Sequence, residues 1–128
     1  MEVKTDTKEK FHVIWVVTPH LSANLAADLY QQVTPILQSG LPNVVMNFKD
    51  VQSMDEAAAE TVVKLQQRFY EENASFVICE LPPEVEAFLD QTELLELMNV
   101  TPTESEAWDI VQMEEIEREL LNDEDFQG

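Results

Sequence analysis

Three short apolar runs constrain this chain most: residues 11–17 (FHVIWVV), 43–48 (NVVMNF) and 75–79 (SFVIC). Each is rich in β-branched or aromatic residues and lacks a regular polar alternation, so each reads as a strand covered on both faces. Helical periods separate them. After Ser22, residues Leu25, Leu29, Val33 and Ile36 recur at one face of a helix, which turns once in about 3.6 residues. After Asp55, residues Ala58, Val62, Leu65 and Phe69 do the same. Strand, helix, strand, helix, strand predicts an α/β fold with a sheet that is largely parallel. Residues 2–6 (EVKTD) alternate weakly and predict an edge strand paired with the first run. Pro35 predicts a break in regular helical bonding, and residues 39–42 (SGLP) a turn.

The rest is shorter-ranged. Leu81-Pro82-Pro83 cannot continue a central strand. A short helix is expected from Pro83, with Val85, Phe88 and Leu89 inward, followed by a short final strand at 99–101. Thr103 and Glu106 form a capping box that opens the last helix, for which Ile110, Met113, Ile116 and Leu120 are the predicted buried side. Trp15 is expected in the core. Met46, Met54 and Met98 are expected to fill the core, although Met54 also lies where an exposed, adaptable interface residue would serve. Trp108 is expected half-exposed, as a candidate interface anchor.

Length and charge bound the function. The chain has 128 residues, enough for one domain, placed at residues 1–121 with an acidic end at 122–128. Its formal net charge is −19, and the charge is uneven. Residues 1–79 carry 10 acidic and 6 basic residues, whereas residues 80–128 carry 16 acidic residues and one basic residue, Arg118. Such a field repels phosphate backbones and anionic lipid, so nucleic acid is not an expected partner. No apolar run reaches the ~18 residues of a membrane-spanning helix, and no secretory signal is evident, so a cytoplasmic protein is expected. Cys79 is the single cysteine, which excludes an internal disulfide. His12 and His20 lack metal-site spacing, and with Gly40 and Gly128 as the only glycines there is no phosphate loop. No cofactor, metal or catalytic residue is expected.

The segment NVVMNFKDVQSMDEAAAETVVKL, from Asn43, resembles the central part of STAS domains, a family that includes bacterial anti-sigma factor antagonists and the cytoplasmic tails of sulfate transporters. The family pattern is a buried strand V-V-L-D-L-S, a loop ending in aspartate, then D-S-S-G or D-S-x-G opening a helix. Here the strand is Val44-Val45-Met46-Asn47-Phe48-Lys49 and the helix opens with Asp55-Glu56-Ala57-Ala58. Further on, Leu81-Pro82-Pro83-Glu84-Val85 and Thr92-Glu93-Leu94-Leu95 resemble the stretch leading to the family's T-G-L turn.

The resemblance implies a STAS-like sandwich with four to five strands and about four helices. It also implies a non-enzymatic interaction module in bacterial regulation, resembling an anti-sigma factor antagonist. The implied partner is an anti-sigma factor or serine-kinase-type regulator, a homodimer being compatible, and the implied binding face is Ser53, Met54, Asp55, Glu56 and Ala57. Four positions depart from the pattern. Glu56 replaces the serine that signalling members phosphorylate, Ala58 and Glu93 replace glycines, and Asn47 replaces the strand aspartate. Glu56 has no hydroxyl, so no phosphorylation is expected there. A glutamate at a helix start is a permanent, weaker counterpart of a phosphoserine, or simply a favourable helix-start residue. Ser53 is a candidate substitute acceptor or an ordinary loop residue. Three rival functions stay open: a soluble STAS-like subunit of a membrane transport system, an acidic module that uses residues 104–125 against a basic partner, and an enzyme, which needs a pocket of converging titratable side chains that the sequence does not show.

Overall fold

The computed structural model describes residues 2–127, with side chains through residue 121. The elements run β1 (Val3–Thr7), β2 (His12–Val16), β3 (His20–Leu21), α1 (Ala23–Val33), β4 (Val44–Asn47), β5 (Ser53–Met54), α2 (Glu56–Glu71), β6 (Phe76–Cys79), α3 (Pro83–Gln91), β7 (Val100–Thr101) and α4 (Glu104–Gln127). Short 3-10 turns at Thr34–Gln38 and Leu95–Leu97 join them. Among the described residues the main sheet has five strands in the order β1-β2-β4-β6-β7. The β1–β2 pair is antiparallel and every other pair is parallel. The α/β expectation and the edge hairpin are therefore both present. Pro35 sits where α1 gives way to the 3-10 turn, as its missing amide requires.

Each central strand is buried on both faces. Residues Ile14, Val16, Val44, Met46, Phe76 and Ile78 join α1 and α2 in the larger core cluster. Residues Val13, Val45, Val77 and Cys79 point the other way, toward Ala107 and Val111 of α4. The α2 stripe Ala58, Val62, Leu65 and Phe69 is buried as its spacing predicts. Burial pushes the Cys79 thiol up to about 12, with the nearby charges of Glu104 and Glu80 adding to it. It stays a neutral, inert thiol near pH 7.

Two expectations about α4 and the aromatic residues are corrected. Ile110 packs on the smaller cluster, but Met113, Ile116 and Leu120 are exposed. The sheet-facing line is instead Ala107, Val111, Glu114 and Arg118. The cause is where the apolar sheet ends. Past Val111 the helix crosses the N-terminal ends of β4 and β6, where Asn43 and Ser75 present polar groups. The Glu114 carboxylate accepts from the Ser75 hydroxyl at 2.6 Å and from Tyr70 at 2.8 Å, while Arg118 donates to Ser75 at 2.8 Å and to Asn43 at 3.2 Å. Trp15 is half-buried, because it lies toward the β1 edge of the sheet, opposite Lys4. Trp108 is half-buried as expected, packed on Phe11 with ring centroids 5.6 Å apart. The acidic end expected at 122–128 lies outside the residues whose side chains are described.

Asn43 knits this end together. Its side-chain oxygen accepts from the buried Ser75 amide at 2.8 Å, and its amide donates to the Lys10 carbonyl at 3.0 Å and to Glu115 at 2.9 Å. The bond from Asn43, more than that from Arg118, holds the Glu115 carboxyl below its ordinary range. Asn43→Ala orphans a buried amide, and the expected cost is about 1–3 kcal/mol. Urea unfolding of the variant checks this.

Helix α3 closes with both bonds of a Schellman motif. The Leu94 amide donates to the Leu89 carbonyl at 3.0 Å, and the Glu93 amide to Asp90 at 3.1 Å. Glu93 therefore adopts φ 64°, the left-handed region where the resembled family has glycine. The left-handed conformation costs an L-residue roughly 1–2 kcal/mol. Glycine's greater freedom in the unfolded chain offsets about 0.4–1 kcal/mol of that. Glu93→Gly is expected to stabilise the fold by about 0.5–1 kcal/mol, read as a higher denaturation midpoint.

Candidate functional site

Two helix starts meet at one edge of the molecule. The two-residue strands β3 and β5 pair in parallel, His20 beside Ser53 and Leu21 beside Met54. The Pro19 carbonyl accepts from the Gln52 and Ser53 amides at 2.7 and 3.0 Å, and the Asp55 amide donates to Leu21 at 3.0 Å. This ladder sets the beginnings of α1 and α2 side by side. Ser22 caps α1 conventionally, accepting from the Leu25 amide at 3.2 Å.

Asp55 behaves differently. It is the N-cap of α2, yet its side chain makes no capping bond to α2. One carboxylate oxygen accepts from the Ala23 amide at the start of α1, at 3.1 Å, and the other lies 3.1 Å from His20 Nε2. Asp55 thus caps the neighbouring helix and ties the two together. His20 Nδ1 is 2.7 Å from the Ser53 hydroxyl. Because a carboxylate only accepts, Nε2 carries the proton in this pairing, and in the neutral ring Nδ1 accepts from Ser53.

The order hydroxyl, imidazole, carboxylate is that of a nucleophile array. Here it stands in water, with the His20 and Asp55 side chains 52% and 46% exposed. Such exposure supplies neither the desolvation nor the preorganised charge that hydroxyl chemistry requires. The arrangement serves instead as a polar clamp with an accessible surface. No group of three or more His, Cys, Asp or Glu residues among the described residues is arranged to hold a metal ion.

The five expected site residues separate. Ser53, Asp55, Glu56 and Ala57 are exposed. Met54 is 6% exposed and belongs to the larger core cluster, so it supports the face from beneath rather than forming it. The alternation of β5 decides this, since Ser53 points out and Met54 must point in. Glu56 occupies the first turn of α2 and makes no hydrogen bond or ion pair among the described residues. His20 is the member that sequence spacing does not reveal, since it lies 35 residues before Asp55 and only the β3–β5 pairing unites them.

At Asn47, another of the departures, the side chain has partners on both sides. The Asn47 amide donates to Glu104 at 3.0 Å, and its oxygen accepts from the Lys49 amide at 2.8 Å. An aspartate at 47 would instead face the Glu104 carboxylate.

A five-stranded mixed sheet with helices on both faces, and a polar surface built at the start of its second helix, defines a small α/β module. The chain belongs to the STAS domain family, which matches residues 2–107. Solved structures agree in fold. A protein from Thermotoga maritima assigned as an anti-sigma factor antagonist is 20% identical, with a TM-score of 0.72 over 86% of this chain and 94% of that one. The anti-sigma factor antagonist SpoIIAA of Bacillus, in its unphosphorylated form, is 18% identical, with a TM-score of 0.68 over 87% of this chain and 96% of that one. The murine anion transporter Slc26a9 is 14% identical, with a TM-score of 0.66 over 81% of this chain and 18% of that one. No curated protein matches the chain. No described helix is long and apolar enough to cross a membrane.

Proposed function

We propose that this STAS domain is a non-enzymatic protein–protein interaction module of bacterial regulation, resembling an anti-sigma factor antagonist. Its recognition face comprises Ser53, Asp55, Glu56 and Ala57, with His20 beside them and Met54 beneath. Its partner is an anti-sigma factor or a serine-kinase-type regulator. The observation that carries this reading is the state of Glu56: exposed, unpaired, and set at the positive end of α2, where relatives of this fold carry a phosphorylatable serine. A fixed carboxylate there keeps the face in one charge state, and the module recognises its partner by shape and charge alone. SpoIIAA, solved in a phosphorylated form as well, supports the idea that this fold is read through such a change in charge.

The test is affinity capture from the native cell. The chain is expected to retain a regulator of that class, and Ala57→Arg is expected to lose it. Arginine is a good helix former at an exposed position, and its charge at the helix start costs only about 0.3–1 kcal/mol, so it obstructs the face while α2 stays folded. Equal capture by both proteins would remove the face from the account. A second reading, a subunit attached to a transport system, draws on the likeness to Slc26a9. It expects a membrane transport protein in the same eluate.

A further inference from the structure

The second half of α4 carries an apolar stripe that the fold does not use. Met113, Ile116, Leu120 and Leu121 are 56%, 56%, 58% and 59% exposed. The steps of three and four from 113 to 116 to 120 place these residues on one side of the helix. The sheet lies against a different side, occupied by Ala107, Val111, Glu114 and Arg118. Carboxylates border the stripe: Glu117 beside Leu120 and Leu121, Glu119 with Lys10 at 3.9 Å, Glu9 from the β1–β2 turn, and Glu115, which Arg118 and Asn43 already engage, so Glu9 and Glu117 are the rim's unengaged carboxylates among the described residues. A groove of about 270 Å³ between that turn and the helix is lined by Glu9, Lys10, Gln112, Glu115, Ile116 and Glu119.

We infer that this stripe docks a basic amphipathic helix of another protein. Apolar side chains at helical spacing fit the apolar face of a second helix, and a carboxylate rim fits lysines or arginines flanking that face. Charge decides against the other occupants. A second copy would bring two acidic rims together, each on a chain of net charge −19. An anionic membrane repels the same rim. The surface lies on the sheet face opposite α1 and α2, so the inference stands independently of the face at Glu56.

The test is fluorescence anisotropy of a dye-labelled 18-residue Lys/Leu amphipathic peptide titrated with the full chain. Saturable binding that weakens with added salt is expected. Ile116→Asp combined with Leu120→Asp is expected to weaken it at least about tenfold, although both changes add negative charge. Both residues are exposed, so an unchanged melting temperature confirms the fold. A peptide of equal charge with serine for leucine, tested on the unaltered chain, is expected to bind at least about tenfold more weakly and needs no variant protein. Three results overturn the inference. One is no binding, or equal binding by the double variant or the serine peptide. Another is a dimer in sedimentation velocity that Ile116→Asp dissociates. The third is flotation of the chain with phosphatidylglycerol vesicles.

Discussion

Phe69→Ala is expected to destabilise the fold by about 3–5 kcal/mol. Phe69 is 0% exposed and lies on the inward stripe of α2. It meets Phe76 of β6 with centroids 5.3 Å apart and rings tilted by 58°. Truncation removes buried apolar surface, leaves a cavity in a close-packed core and ends an aromatic contact that contributes about 0.5–1.5 kcal/mol on its own. Domains of this size have total stabilities of about 5–15 kcal/mol, so one change consumes a large share. Thermal unfolding is expected to fall by about 10–20 °C. Phe69→Leu keeps most of the volume and is expected to cost less than half as much. The effect reaches function because α2 is the element whose first turn presents Glu56. A variant with a loosened α2 is expected to lose partner capture through the same cause.

The second large effect is expected at Glu56 itself. Glu56→Lys replaces an anion at the positive end of α2 with a cation. The helix-end effect, about 0.3–1 kcal/mol for each charge, makes the reversal cost about 0.6–2 kcal/mol of stability. The fold survives that. Binding is more sensitive, because a carboxylate desolvated against a basic group of the partner leaves that group unpaired and then repelled. Losses at such pairs reach about 2–5 kcal/mol, so at least about a thirtyfold weaker complex is expected. Glu56→Gln separates the two terms by removing charge while keeping size. It is expected to fall between the unaltered protein and Glu56→Lys. Titration of the captured regulator against the three proteins measures the order. Equal affinities across them would assign recognition to another surface.

What the sequence made legible follows from period. Runs such as 43–48 and 75–79 are long enough to show continuous burial, and the α2 stripe repeats often enough to fix its inward face. Strands β3 and β5 have two residues each, too few to show any alternation. Their pairing therefore stays hidden, and with it the bridge from Asp55 to His20 and Ala23, while the expectation that Met54 fills the core holds and its alternative, an exposed interface residue, does not. The α4 reading failed for a different reason. Ile110, Met113, Ile116 and Leu120 carry a sound helical period, but a period shows only that a face is apolar. It does not show whether the sheet extends far enough to cover that face. Here polar Asn43 and Ser75 mark the sheet's end, and Glu114 and Arg118 answer them. Glu93 shows the converse case, since a conformation that suits glycine is held by the Schellman bonds around it.

Amide hydrogen exchange on the complex with the captured regulator tests the central claim most directly. In the free chain the amides of residues 56–58, the first of α2, lack intrahelical acceptors and are expected to exchange fast. On binding, the account expects these amides and those of 20–23 and 53–55 to slow together. Unchanged exchange across 53–58, with protection confined to other segments, would contradict it.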